Sequence, residues 1–268
     1  MFENTKLILC DLDGTLLDQK KQIDSEIFPL IPLLKEKGIG FSIVSGRNNF
    51  AVRDIARQLQ ITLPYICNNG AILYDHDTPV HINPVNASDL KEILDLLYRR
   101  NMDFVFDTVD QVYARGHNPA LDAYYRQLQN YVDFRFDFDP ELLYGLEPLK
   151  ITLVDEDVSV IEEIRSEIND RYTQTKCNRS EGHIYVINAV ENNKGMAVEQ
   201  LSRLLGIPVK DVMVFGDNYN DIPMLQKAGY GILMANANED IQPLARYHTR
   251  YDNDHHGIAD FIRENLLK

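Results

Sequence analysis

What most constrains this chain is a rhythm of short apolar runs, each ending in a polar loop and followed by a segment with helical spacing. Lys6 to Cys10, Gly40 to Val44 ("GFSIV") and "PYICNNG" (64–70) read as strands. Between them, Ser25 to Lys37 reads as a helix whose first turns are weakened by Pro29 and Pro32, and Asn48 to Gln60 as one with Val52, Ile55, Ala56 and Leu59 on one face. Strands without polar alternation are buried on both sides. The expected fold class is therefore α/β, a doubly wound, mainly parallel Rossmann-like sheet covered by helices on both faces.

The texture changes near Pro84. A helix bearing Leu90, Ile93, Leu94 and Leu97 precedes strand-like "FVF" and "QVYA", and further strands are expected at Lys150 to Val154, Thr173 to Cys177 and His183 to Ile187 around a helix near Val158 to Asn169. The acidic and aromatic run "YVDFRFDFD" (131–139) alternates at period two and reads as a half-buried strand. After Asn192 the first rhythm resumes: a helix from Lys194 to Leu205, the strand "VMVFG", the loop "DNYND", a helix to Lys227, the strand "GYGILM" and a last helix from Gly257. The expected organisation is a core domain of residues 1–83 and 189–268, interrupted by an inserted α/β cap domain of residues 84–188 with a mostly antiparallel sheet.

With 41 acidic against 27 basic residues the chain carries a net charge of −14, which argues against nucleic acid or an anionic membrane as partner. An anionic small molecule would have to meet a local basic site or a metal. Cys10, Cys67 and Cys177 lack metal-ligand or disulfide-framework spacing and read as reduced thiols. The N-terminus has no secretory pattern, so a cytoplasmic protein is expected, and the sequons at Asn86 and Asn178 read as chance matches.

In open α/β sheets ligands bind beyond the carboxyl ends of the strands. Asp11 and Asp13 follow the first strand, Ser45, Gly46 and Arg47 the second, Asn69 and Gly70 the third, and Asp217 to Asp221 a later one. Lys194, at a helix start, brings a positive charge to the same crevice. Hard carboxylate oxygens with few histidines suit Mg²⁺, which also takes phosphate oxygens as ligands. Two aspartates so close can divide the chemistry: one, held against metal and lysine, stays ionised and attacks phosphorus, while its neighbour keeps a proton for a leaving oxygen.

The ordered set "DLDGTLL", "SIVSGR", "NNGA", "NKGMAVEQL" and "FGDNYNDIPML" resembles the haloacid-dehalogenase superfamily, and the insert after the third motif resembles its Cof-type, YidA-like sugar phosphatase branch with an α/β cap of the C2B type. The resemblance implies a Mg²⁺-dependent phosphatase of small phosphate esters. It makes Asp11 the nucleophile that forms an aspartyl phosphate, and Asp13 the acid and then the base. It implies that Asp11, the carbonyl of Asp13 and Asp217 hold Mg²⁺, with Asp221 beside or behind them. Leu12, Ser45, Gly46, Lys194 and Asn220 would hold the phosphate, and Arg47 and Asn69 would contact substrate. For Arg47 a surface ion pair is an equal reading. The cap is expected to close over the crevice and set specificity.

The chain departs from that pattern at Cys10 and at "DNDHHG" (252–257), where relatives carry an acidic pair before glycine. The latter run fails as a calcium loop, because its twelfth position falls on Arg263. A phosphomutase and a non-catalytic sensor of phosphorylated ligands are the rival readings. A dehalogenase is disfavoured, since displacement of halide from carbon needs neither the second aspartate nor a metal.

Overall fold

Leu7–Cys10 (β1) has all four residues buried, as a central parallel strand requires. The computed structural model describes residues 2–268. The chain divides into two units, one made of the chain up to His81 together with Asn193–Lys268, the other of Ile82–Asn192. The sequence places these divides at 83/84 and 188/189. Strand pairing continues to Ala189, and Asn83 and Asn192 bond to each other: the Asn83 amide donates to Asn192 Oδ1 at 2.7 Å and the Asn192 amide to the Asn83 carbonyl at 2.8 Å. Both linkers thus belong to the inserted unit.

In the first unit β1 is followed by α1 (Leu30–Glu36), β2 (Gly40–Ile43), α2 (Asn49–Gln58), β3 (Tyr65–Cys67), β4 (Ile72–Asp75) and β5 (Thr78–Ile82), whose last residue opens the second unit. Helix α1 starts five residues after the expected Ser25. Pro29 occupies its N-cap, while Pro32 falls in the first turn, where no backbone N–H is needed. Asn48 caps α2, its side chain accepting from the Ala51 N–H. β3 touches the parallel sheet through one bridge, Val44 to Ile66, and turns away into a small sheet ordered β3-β4-β5.

The inserted unit contains α3 (Ala87–Arg99), β6 (Phe104–Asp107), β7 (Val112–Arg115), α4 (Pro119–Leu128), β8 (Phe134–Arg135), β9 (Lys150–Val154), α5 (Val158–Arg171), β10 (Thr175–Glu181) and β11 (Ile184–Ala189). Its six-stranded sheet is ordered β10-β11-β9-β6-β7-β8, antiparallel except where β8 pairs β7 in parallel. Alternate strand residues Phe104, Phe106, Ile151, Leu153, Tyr185 and Ile187 pack against Leu90, Ile93, Leu94 and Leu97 of α3 and Ile161, Ile164 and Ile168 of α5. Residues 131–139 do not form the expected long strand. Only Phe134 and Arg135 pair, and the rings of Phe134 and Phe136 instead lie against Tyr125 at 4.9 and 5.2 Å.

The chain re-enters the first unit with α6 (Lys194–Leu205), then β12 (Val212–Gly216), α7 (Ile222–Lys227), β13 (Tyr230–Leu233), β14 (Tyr247–His248) and α8 (Gly257–Asn265). The main sheet is ordered β14-β13-β12-β1-β2 and every pair in it is parallel. Leu7, Leu9, Val212 and Val214 pack against Ala197, Val198 and Leu201 of α6, while Phe215 meets Phe261 of α8 edge-on at 5.5 Å. No helix among the described residues is long and apolar enough to cross a membrane.

Phe106 is fully buried between sheet and helices of the inserted unit. Phe106→Ala is expected to cost about 3–5 kcal/mol, read as a lowered urea midpoint of that unit; a loss below about 1 kcal/mol would contradict the packing described.

Candidate active site

Asp11 and Asp217 stand at the carboxyl ends of the neighbouring strands β1 and β12, which are paired Cys10 to Phe215. Lys194 reaches Asp11 and Asp221 from the first position of α6. That helix start is fixed by Asn193, whose side chain accepts from the Met196 N–H at 3.0 Å. Gly195 lets α6 pack closely, since a Cβ there would lie 2.5 Å from the Pro223 carbonyl oxygen. The Lys194 side chain is wholly buried, its Nζ 2.8 Å from Asp11 Oδ1 and 2.5 Å from Asp221 Oδ1. The other oxygen of Asp221 accepts the backbone N–H groups of Asp217 and Asn218 at 2.9 and 3.0 Å. Asp221 therefore shapes the loop that presents Asp217 and also neutralises Lys194.

Gly14 has φ +72° and a Cβ on it would sit 2.2 Å from Asp217 Oδ2, so both conformation and space require glycine. Next to it, Thr15 Oγ1 donates to Asp217 Oδ1 at 2.8 Å. Oxygens of Asp11, Asp217 and Asp221 lie within 4.8 Å of one another. Three carboxylates against one ammonium leave two negative charges in excess, and the donors are all hard oxygens. The set fits a divalent cation. Among the described residues it is the one such group, so the histidines of 252–257 gather no third ligand.

A second group lies beside the first. Ser45 is buried, its hydroxyl accepting the Arg47 N–H at 3.1 Å and its carbonyl the Asn69 N–H at 3.0 Å. The Asn220 amide donates to Asn69 Oδ1 at 3.2 Å, and Gly46 stands so close that a Cβ would come within 2.9 Å of the same oxygen. Leu12 is buried between the two aspartates, and its carbonyl accepts the Leu17 N–H at 2.8 Å. The loops carrying the sequence-derived residues thus meet at one edge of the sheet.

Asp13 turns to a different neighbourhood. Arg47 grips it with two bonds, Nε to Oδ2 at 2.7 Å and Nη2 to Oδ1 at 2.6 Å, and Lys21 donates to Oδ1 at 2.6 Å. Burial alone would push this carboxyl up, but Arg47 and then Lys21 outweigh it and hold it at about 2. Asp11 goes the other way: burial raises it well above the ordinary value, Asp221 and Asp217 add to this, and Lys194 opposes it. Burial would lower Lys194, yet Asp11 and Asp221 prevail and raise it, so it stays charged. The two aspartates therefore sit in unlike surroundings, Asp13 held below the ordinary carboxylate value and Asp11 pushed above it. Asp13 faces two cations, whereas Asp11 is raised first by burial and then by two other carboxylates.

Two residues of this arrangement were not read from the sequence. Thr15 belongs to a motif whose aspartates draw the attention, and Lys21 has no signal, being an exposed lysine in a turn. Arg47, open between surface ion pair and substrate contact, is ion-paired inside the site.

A family description for haloacid dehalogenase-like hydrolases matches residues 8–262. The 5-amino-6-(5-phospho-D-ribitylamino)uracil phosphatase YcsE of Bacillus subtilis (strain 168) is 29% identical over 265 residues, which cover 98% of this chain and 96% of that protein. The pyridoxal phosphate phosphatase YbhA of Escherichia coli (strain K12) is 27% identical over 272 residues, covering 98% and 99%. A solved haloacid dehalogenase-like hydrolase from B. subtilis superposes with a TM-score of 0.85 at 25% identity, covering 98% of this chain and all of the other.

The Asp13 arrangement makes a pH prediction. A carboxyl depressed in the folded state adds stability that is present above its unfolded value of about 3.9 and is lost as pH falls toward about 2. Arg47→Ala is expected to move the Asp13 titration upward, toward the ordinary carboxylate range, in carboxyl-resolved NMR. An unmoved titration would show that Arg47 does not hold it.

Proposed function

Because the chain belongs to the haloacid dehalogenase-like hydrolases, we propose that it is a Mg²⁺-dependent phosphatase of small phosphorylated metabolites, working through an aspartyl phosphate on Asp11. The observation that carries this reading is the buried Lys194 bridging Asp11 and Asp221, with Asp217 alongside. The names of YcsE and YbhA support a substrate among small organic phosphates. The buried thiols of Cys10, Cys67 and Cys177 fit a reducing, cytoplasmic setting.

In this reading Asp11, Asp217 and the backbone carbonyl of Asp13 hold Mg²⁺, with Asp221 behind them because its oxygens already serve Lys194 and two backbone N–H groups. When bound, the ion offsets the excess negative charge and draws charge from a phosphoryl oxygen. Lys194, Ser45, Asn220 and the N–H groups of Leu12 and Gly46 hold the phosphate, and Asn69 orients Asn220. A carboxylate oxygen of Asp11 bonds to phosphorus as the P–O bond to the alcohol breaks, and the alcohol oxygen takes a proton from Asp13. Asp13 then removes a proton from water, which attacks the phosphorus and frees Asp11 and inorganic phosphate.

The position of Asp13 sets a condition on this sequence. Gripped by Arg47 and Lys21 it is ionised and ready to accept a proton, the form needed for the water step. To donate, it must first be released from them. An arriving phosphate, itself an anion, competes for both cations and supplies that release.

Asp11→Asn is expected to abolish phosphate release, by at least about 10⁴-fold given the loss of the nucleophile, while circular dichroism shows the fold retained. Chelation of Mg²⁺ should abolish wild-type release as well. Appreciable turnover by the variant would refute the assignment, and an isomeric sugar phosphate as product in place of inorganic phosphate would make the protein a mutase.

A further inference from the structure

Beyond β1 the chain folds back on itself between Asp13 and Ile23. Bridges join Asp13 to Leu17 and Leu17 to Ile23, and the Asp18 N–H donates to the Gln22 carbonyl at 2.9 Å. This hairpin lies outside the main sheet, so the ladder that fixes Asp11 does not fix it. It nevertheless carries Asp13, Thr15 and Lys21, each of which makes one of the site contacts described above.

Two remote loops hold its backbone. Asn236, in the loop after β13, donates from Nδ2 to the Gly14 carbonyl at 2.8 Å, and Asn253, in the loop before α8, donates from Nδ2 to the Leu17 carbonyl at 2.8 Å. The Asn253 N–H donates to Asn236 Oδ1 at 3.2 Å, tying the two asparagines to each other. Asp254 Oδ1 accepts the Gln19 N–H at 2.9 Å, and His256 Nδ1 lies 2.8 Å from Asp24 Oδ1. Gly14 and Leu17 bracket Thr15, the residue that holds Asp217. Their carbonyls are thus clamped on both sides of a group bonded to a candidate cation ligand.

We propose that Asn236 and Asn253 are positioning residues of the reaction, a clasp that sets the hairpin so that Asp13, Thr15 and Lys21 meet the Asp11 cluster in productive geometry. The inference rests on the phosphatase reading for its kinetic consequence but not for its structural one. The run "DNDHHG" gains a role: its asparagine and second aspartate bond the catalytic hairpin. Neither asparagine bonds a site carboxylate, so loosening the clasp misplaces reacting groups while the phosphate cradle of Ser45 and Lys194 stays intact. Small misplacements of this kind cost up to about 100-fold in rate.

The test compares Asn253→Asp, which replaces the amide donor by an oxygen of the same size, with Asn236→Ala, the double variant and His255→Ala, a control on the same loop. Each full-length protein is assayed for Mg²⁺-dependent hydrolysis of p-nitrophenyl phosphate, for thermal midpoint, and for amide exchange at Leu17, Asp18 and Gln19. Both single variants should lower kcat by about tenfold or more with KM changed less than about twofold. Exchange at the three amides should quicken, the midpoint should stay near that of the wild type, and His255→Ala should match the wild type. The double variant should lose no more than the worse single, because both serve one device. Unchanged kcat in both singles would overturn the proposal. So would losses that follow the thermal midpoint and vanish at lower temperature, since the asparagines would then only stabilise the fold. If the wild type hydrolyses no phosphate ester, the phosphatase reading fails by itself; unchanged exchange at the three amides would then overturn the clasp.

Discussion

A wholly buried ammonium costs several kcal/mol to take out of water and survives only where opposite charges meet it. Lys194 is such a group, and it stands at the first position of a helix, where the backbone dipole is unfavourable to a cation. Asp11 and Asp221 have to overcome both penalties, so their distances to Nζ are a constraint on the whole unit. Three separate pieces of chain must arrive together: the end of β1, the turn after β12 and the start of α6. The parallel pairing of β1 with β12, the Asn193 cap and the close approach at Gly195 bring them there. The same constraint creates the site, because the carboxylates gathered around one lysine exceed it in charge and leave room for a divalent cation.

The two aspartates of the first loop show how a short backbone distance separates electrostatic environments. Asp11 extends from the sheet into a buried cluster of its own sign. Asp13, on a hairpin that folds away, meets Arg47 and Lys21 and is pulled down where Asp11 is pushed up. In the proposed reaction a nucleophile and a proton carrier need such separate environments.

The parallel core was legible because its signals are local: β1 and β12 are unbroken apolar runs ending in aspartates, and α6 has its cap at Asn193 and its left-handed stop at Gly206. That those ends share one edge follows from parallel pairing, which is why Asp11, Ser45, Lys194 and Asp217 could be named together. What stayed hidden depends on which of several partners a segment takes in the folded chain. The strand expected at 131–139 has the right alternation, but its phenylalanines find Tyr125 and leave only two residues to pair. Proline at 29 moved the start of α1, and β4 and β5 turn β3 away from the main sheet because a hairpin partner lies nearer than a further parallel neighbour. Lys21 carries no pattern at all, and its importance comes from where the hairpin delivers it.

The account's central claim is that the Lys194 cluster makes Asp11 the phosphoryl acceptor. Borohydride added during turnover reduces an acyl phosphate to the corresponding alcohol, which peptide mass spectrometry locates. The account predicts homoserine at position 11 and at no other aspartate, dependent on both substrate and Mg²⁺. Phosphate release with Asp11 unreduced throughout, or reduction at Asp13 or Asp217 in its place, would contradict it.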